Sequence, residues 1–226
     1  MHGTLNISNQ IEPAILYFGT PVVLIGSSNE DGSFNLAPMS SAWWVGWRCM
    51  LGLARNSKTT ENMIRSDECV LNLPSAELVG AVDRLARTTG SDVVPPGKKM
   101  RGYRHAKDKF GLSGLTALAG ETVAAPRAMQ CPVQIEAKVA HVHEMAQEDD
   151  TWRGNLVAIE VRVTRVHAHP HIMMDGELNR IDPDKWRPLI MSFQQFYGLA
   201  PEKLQRSELG QIPEAMYRPP GWRPAA

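Results

Sequence analysis

Only three cysteines, Cys49, Cys69 and Cys131, occur in 226 residues. They are too few and too scattered for a disulfide framework or a CxxC metal site, and an odd number suits a reducing compartment, which points to the cytoplasm. Neither sign of charge is in excess. Lys and Arg number 24 and Asp and Glu number 24, so no overall field draws nucleic acid or an anionic membrane, and any recognition of charge has to be local. Long apolar runs are missing too: the most apolar stretch, Val22 to Ile25, is far too short to span a bilayer, and the polar start from Met1 to Gln10 lacks the basic and apolar regions of a secretory signal. A membrane protein is not expected. No strand leads into GxGxxG, and there is no GxxxxGK[ST] and no GxSxG, which sets aside a Rossmann site, a nucleoside triphosphate loop and a serine hydrolase. The cysteines have no local signature for Cys/His nucleophilic catalysis. No repeat or low-complexity block organises the chain. What remains, 43% hydrophobic and 21% charged residues, is the composition of an ordinary globular protein of one domain, residues 1–226.

What is present is alternation. Pro21 to Gly26 is β-branched and apolar, Asn29 to Ser33 is rich in turn formers, and Phe34 to Ser41 returns, which predicts a hairpin. Pro38 cannot donate to a ladder and demands an edge, a bulge or a strand end. From Trp47 to Leu53 every second residue is apolar, the period of a half-buried strand. Ser57 and the hydroxyl residues after it can cap a helix from about Lys58 to Ser66. Cys69 to Leu73 reads as a strand, and Ser75 to Thr88 as a helix with Leu78, Val79, Val82, Leu85 and Ala86 on one face. Two long alternating segments follow, around Val133 to Val142 and Val157 to Val166. Each flips phase once, near Ala140 and near Arg165, as paired strands with a bulge or barrel corner would, unless each strand simply ends there. The class is mainly β (α+β): a small antiparallel β-barrel with a helical insertion at 75–120, the alternative being an open sandwich.

The stretch most suggestive of chemistry runs from Asn35 to Asn62. A helix N-terminus offers unpaired N–H groups and a partial positive charge, and Arg55, Ser57, Lys58, Thr59 and Thr60 around it make a cradle for a phosphate monoester. The plainer reading is a capped helix on a solvated face. The run Lys98 to Lys109 holds six basic residues and one acid, a mobile lid for an anionic substrate or a solvated basic helix, the commoner fate of charge runs. His141, His143, His167, His169 and His171 alternate at strand ends, but no cysteine joins them and no ligand spacing is recognised, so no metal is assigned. Trp43, Trp44 and Trp47 serve core packing or an interface equally well.

The succession Pro21-Val22-Val23-Leu24, Asp31-Gly32-Ser33-Phe34-Asn35-Leu36-Ala37-Pro38-Met39-Ser40-Ser41, Arg55-Asn56-Ser57-Lys58-Thr59-Thr60-Glu61-Asn62 and Cys69-Val70-Leu71-Asn72-Leu73-Pro74 resembles the flavin reductase-like family of FMN-binding split barrels, which includes flavoredoxin-like proteins. Ala125-Pro126-Arg127 and Cys131-Pro132-Val133 are similar too. The resemblance covers about residues 15–198 and leaves 199–226 as an extended, proline-rich C-terminal arm. It implies an FMN-binding split β-barrel, homodimeric, with the flavin at the subunit interface. Asn35, Pro38, Met39, Ser40 and Ser41 would lie along the isoalloxazine and ribityl chain, with backbone N–H groups near Met39 and Ser40 facing the polar edge of the ring. Ala54, Arg55, Asn56, Ser57, Lys58, Thr59 and Thr60 would hold the phosphate. His171 and Tyr197 are the candidates on the nicotinamide and substrate side, and Tyr103 or His105 would touch the open face of the flavin. The implied function is an NAD(P)H-dependent flavin reductase passing hydride from nicotinamide to FMN, with the reduced flavin serving a monooxygenase partner or another acceptor. The alternatives are FMN as a fixed prosthetic group acting on a small organic substrate, and a non-catalytic electron carrier. Around Trp186 to Ile190 and Phe193 to Gly198 the sequence departs from the Gly-Gly-Tyr pattern of many flavin reductases.

Overall fold

The computed structural model describes residues 8–218, so the start of the polar N-terminal segment and Pro219, Pro220 and Pro224 of the arm lie outside the described residues. After a short strand β1 (Phe18–Pro21), β2 (Val23–Ser28) pairs antiparallel with β3 (Phe34–Met39), Val23 opposite Met39 and Ser28 opposite Phe34. The turn between them is built as its composition demands. Asn29 N–H donates to Ser33 O at 2.8 Å, the Asp31 carboxylate accepts from Ser33 N at 3.0 Å, and Gly32 takes φ +80°.

The strands β4 (Ala42–Val45) and β5 (Arg48–Ala54) follow, then helix α1 (Lys58–Ser66) and β6 (Glu68–Leu73). The insertion holds α2 (Val79–Leu85), β7 (Thr88–Thr89), α3 (Pro96–Met100), β8 (Arg104–His105), α4 (Lys109–Ser113) and β9 (Ala117–Leu118). After β10 (Arg127–Ala128) come the long strands β11 (Val133–Glu144) and β12 (Leu156–Ala168), and finally β13 (Leu189–Ser192) and β14 (Gln195–Gly198). Seven strands form one antiparallel sheet in the order β3-β2-β6-β11-β12-β5-β4.

The two outer strands of that sheet, β3 and β4, are consecutive in the chain, with only Ser40 and Ser41 between them. Three residue steps span at most about 11 Å, so the sheet has to curl until its edges meet. No ladder joins those edges among the described residues, and the result is a split barrel rather than a closed one. Its interior is filled by Val23, Ile25, Leu51, Leu71, Ala137, Val157, Ile159 and Val161, all buried. Pro38 sits on the edge strand, where its missing N–H costs no second ladder. Strand β2 is buried on both faces: Val23 and Ile25 point into the barrel, while Leu24, with Val22 just before the strand, packs with Leu36, α2, Phe110 and Leu189 in a second core. Burial on both faces explains its unbroken apolar run.

The two phase flips are bulges. Pairing runs from Glu136↔Arg165 to Ala137↔Val163, which leaves Thr164 extra on β12, and from Val139↔Val161 to His141↔Glu160, which leaves Ala140 extra on β11. The expected helix over Ser75 to Thr88 is shorter: a 3₁₀ turn at Ala76–Leu78 precedes α2, and the chain leaves it at Ala86 with Arg87 left-handed at φ +52°. Because the 3₁₀ turn advances the phase faster than an α-helix, Ala81, Val82 and Leu85 are buried and Val79 is turned outward. Among the described residues no helix is long and apolar enough to cross a membrane.

On the outer face of β11, Glu136 is completely buried beneath the segment leading to β10. Its carboxylate accepts from Glu121 N–H at 2.9 Å, from Thr122 N–H at 2.5 Å and hydroxyl at 2.6 Å, and from His167 Nε2 at 2.8 Å. Burial pushes this carboxyl up, but the Thr122 hydroxyl, the two amides and the imidazole outweigh it and hold the pKa down at about 2 instead of 4.5. A group lowered in the folded state stabilises above its unfolded pKa and loses that contribution as pH falls through the folded one. Glu136→Gln is therefore expected to cost about 2–3 kcal/mol in urea unfolding at pH 7. The gap from wild type narrows as the pH drops from 4.5 toward 2.

Candidate functional site

Where the two edges of the sheet meet, the barrel opens into a cavity of about 690 Å³, in the size range of cofactor sites. Its floor is Pro38 to Ser41 and the end of β5, Gly52 to Ala54. Gly52 N–H donates to Ser41 O at 2.8 Å, and a Cβ on Gly52 would sit 3.2 Å from Ser41 Cβ, so this glycine lets the linking residues lie close on β5. Ser40 and Ser41 lie outside any ladder, and their N–H groups have no acceptor among the described residues.

The first turn of α1 supplies one corner through Ser57, Lys58 and Thr59. Ser57 is the N-cap and its hydroxyl accepts from Thr60 N–H at 3.1 Å, which leaves the amides of Lys58 and Thr59 without an intrahelical acceptor at the positive end of the helix dipole. Lys58 Nζ lies 3.0 Å from Glu61. The insertion forms the opposite wall with Arg87 to Gly90, Lys98, Tyr103 and Lys109, and the small sheet β1-β13-β14 with its flanks adds Tyr17, Met191, Gln194 and Phe196.

Two polar groups lack partners here among the described residues, one in the lining and one buried behind it. Asn35 Nδ2 donates to Thr59 Oγ1 at 3.0 Å and to Ser27 Oγ at 3.4 Å, but Oδ1 is buried with no hydrogen bond. A Cβ on Gly90 would stand 2.6 Å from that oxygen, so only glycine leaves the space. Lys109 is 3% exposed and its ammonium has neither hydrogen bond nor ion pair among the described residues. Burial first, and Lys98 second, push its pKa down to about 8. Lys98 is lowered likewise by burial and Arg101, with Glu61 opposing. A buried acceptor and a buried cation, both unsatisfied, suit a ligand carrying hydroxyl and anionic groups. The three thiols offer no nucleophile: burial pushes Cys49 and Cys131 up to about 12, and Cys69 higher still.

Of the residues singled out in the sequence, Pro38, Met39, Ser40, Ser41, Ala54, Ser57, Lys58 and Thr59 are brought together in the lining. Asn35 and Thr60 are buried behind it, Thr60 donating to Ala54 O at 2.9 Å. Arg55 and Asn56 lie on the surface, where Arg55 pairs with Glu144. Tyr197 is 56% exposed on β14 and outside the lining, while its neighbour Phe196 is in it. His171 is exposed in a 3₁₀ turn, its ring 5.5 Å from that of His169, away from the lining. His141 and His143 form another pair at 4.5 Å, and His105 faces Ser91 O at 3.0 Å. The run from Lys98 to Lys109 is no single helix: α3, β8 and the start of α4 share it, and Lys98, Tyr103 and Lys109 line the cavity. Trp44 and Trp47 pack against the barrel core, whereas Trp43 is 56% exposed on the edge strand β4. Sequence reasoning missed Arg87 to Gly90, Lys109 as a separate site residue, and Gln194. The one available signal was that Lys109 stands between a capping residue, Asp108, and an apolar anchor, Phe110.

A curled antiparallel sheet with a polar, cation-lined cavity at its seam is the framework of a flavin-binding split barrel, and residues 15–198 match the model of the flavin reductase like domain. The chain belongs to that family, a family of flavoprotein oxidoreductases. An uncharacterised protein of Bacillus subtilis (strain 168), YdfE, is 38% identical over 201 residues, 88% of this chain and 94% of that protein. Among solved structures, flavoredoxin of Desulfovibrio vulgaris (Miyazaki F) superposes with a TM-score of 0.71 at 19% identity, covering 89% of this chain and 98% of the other. Nitrilotriacetate monooxygenase component B from Bacillus cereus gives 0.67 at 19% identity, over 91% and 100%. At that level of identity the two structures establish the fold. The crowding at Asn35 can be probed directly. Gly90→Ala is expected to lower the urea midpoint by an amount equivalent to about 1–3 kcal/mol, because Asn35 and Lys58 must both give way.

Proposed function

We propose that this cavity holds FMN and that the protein is an NAD(P)H-dependent flavin reductase, acting as a cytoplasmic homodimer. The observation that carries the reading is the meeting of free helix N-terminal amides and an unpaired buried ammonium in the lining of one cavity, with an unpaired acceptor, Asn35 Oδ1, buried behind it. Ser57, Lys58 and Thr59 take the phosphate; Arg55 and Asn56, on the surface, have a smaller part in it than the sequence pattern suggests. Asn35, buried behind the lining, holds the Thr59 hydroxyl at 3.0 Å and so acts on the phosphate corner through Thr59. Pro38 to Ser41 support the ring, and the free amides of Ser40 and Ser41 are placed to donate to its polar edge, where preorganised N–H groups favour developing negative charge. When bound, FMN would supply the redox chemistry, as the acceptor of a hydride from nicotinamide. Tyr103, Gln194 and Phe196, which the cavity contains, are assigned to the nicotinamide side, with Tyr197 adjoining them in β14 and His171 further off. Supporting a dimer, Trp43 and Val45 leave an apolar strip exposed along the edge strand β4. Supporting a monooxygenase partner, the structural relative from Bacillus cereus is named as one component of a monooxygenase.

The test is a visible spectrum and an anaerobic titration. The purified protein is expected to bind FMN as a yellow complex with quenched tryptophan fluorescence, and the colour is expected to bleach on addition of NADH or NADPH. Failure to bind FMN sinks the reading. Bleaching without release of the flavin, and turnover that needs no free FMN, would replace the reductase by an enzyme with a fixed prosthetic group.

A further inference from the structure

The insertion carries a basic face that lies outside the cavity as well as on its lip. Residues 83–109 hold eight Lys and Arg against three Asp and Glu, which leaves 16 basic and 21 acidic residues for the rest of this neutral chain. Of those three acids, Asp92 lies 3.5 Å from His105, Asp108 caps α4 and Asp83 lines the cavity. Arg87, Lys99, Arg101 and Arg104 are exposed, and none has an ion pair or a side-chain hydrogen bond among the described residues. The backbone fixes this arrangement. Pro95 O accepts from Lys98 and Lys99 N–H at 2.9 Å, Lys98 O from Arg101 and Tyr103 N–H at 3.0 Å, and Gly102 turns the chain at φ +75°. Arg104 N–H then donates to Arg87 O at 3.0 Å. Lys98 Nζ and Arg101 Cζ stand 6.0 and 5.9 Å from the centre of the Tyr103 ring, so an aromatic face holds these two cations together. Like charges gathered in this way repel one another, and their field favours a negative charge brought from outside.

Apolar side chains among the cations indicate what brings it. Val93 is 85% and Met100 86% exposed, at the two ends of the segment that contains Pro95 and Pro96. Apolar contacts with charges around them are the anatomy of a protein-binding face, where the apolar part adds affinity and the charge selects the partner. A nucleic acid needs free stacking surfaces, but Tyr103 is engaged with Lys98, Arg101 and the cavity. A membrane surface needs a broad apolar face, which two side chains do not supply. The acidic excess over the rest of the chain also opposes any extended polyanion. Arg87, Lys98 and Tyr103 line the cavity, so the face runs on into its mouth. We infer that Val93, Lys99, Met100, Arg101 and Arg104 form a docking surface for an acidic protein with an apolar spot, and that the docked protein lies across the mouth of the cavity. The surface stands on the insertion's own residues; that its occupant is the acceptor served by the reductase rests on the function proposed above.

The probe is a fluorescein-labelled peptide of glutamates with interspersed leucines, followed by anisotropy at about 0.15 M salt. Wild type is expected to bind it with an affinity that falls as salt rises. The triple variant Lys99→Glu, Arg101→Glu, Arg104→Glu is expected to lose more than about 10-fold in peptide affinity and less than about 2-fold in FMN affinity. Met100→Ser is expected to weaken the leucine-containing peptide about 3- to 10-fold and an all-glutamate peptide hardly at all. Because the docked peptide covers the mouth, it is expected to slow FMN association in wild type and not in the triple variant. Absence of binding by wild type, equal binding by the triple variant, or an unchanged rate of FMN association with the peptide bound overturns the inference. So does tighter binding of single-stranded oligo(dT) or of phosphatidylserine vesicles, which would make the face one for nucleic acid or for membrane. Peptide binding by a protein that takes up no FMN would remove the flavin reading and leave the docking surface standing.

Discussion

Everything at the site depends on the two residues between Met39 and Ala42. Because β3 and β4 are the opposite edges of the seven-stranded sheet and are joined by Ser40 and Ser41 alone, the sheet must curl, and the seam where it fails to close becomes the cavity. The seam also explains the chemistry available there. Residues that cross from one edge to the other cannot be in a ladder, so their amides stay free, and the hydrogen bond from Gly52 to Ser41 fixes them in that state. Strand β5 ends at the same place, and α1 starts four residues later with its N-terminus facing the seam.

Two buried charges show how differently this protein treats structure and site. Glu136 is fully buried and accepts four hydrogen bonds, from two amides, a hydroxyl and an imidazole, which lock the segment before β10 onto the barrel. Lys109 is almost as buried and has none among the described residues. An unpaired buried cation is among the most costly arrangements a fold can hold, and its persistence in the cavity wall is what the proposed anion-binding role rests on.

Backbone strain reaches the site as well. Among the described residues five non-glycine positions are left-handed, and two of them, Arg87 and Gln194, line the cavity. Gln194 and Phe193 form the two-residue turn between β13 and β14 at φ +65° and +44°, where asparagine and glycine are the usual occupants. Packing holds the turn: the ring of Phe193 meets Phe18 edge-on at 5.0 Å, and its N–H donates to Tyr17 O at 2.8 Å. Strained conformations of this kind survive only where the surroundings over-determine them, as the packing does at this turn.

Elements whose cause is local were legible in the sequence. The β2–β3 hairpin followed from its turn residues, α1 from the Ser57 cap, and both bulges of the β11–β12 pair from a break in alternation, because each of these is decided within a few residues. The family resemblance placed the floor and one corner of the cavity for the same reason: residues 35–60 form a nearly continuous stretch. Which side chains of that stretch face inward was not legible, and Arg55 and Thr59 differ in this although both belong to the pattern. The opposite wall was hidden altogether. Arg87 to Gly90, Lys109 and Gln194 reach the cavity only after the sheet has curled and the insertion has docked on Val22, Leu24 and Leu36. The sequence by itself determined the strands, the capped helix and the family; only the tertiary structure decided that Lys109 is buried with no partner among the described residues, since burial is set by contacts between segments far apart in the chain.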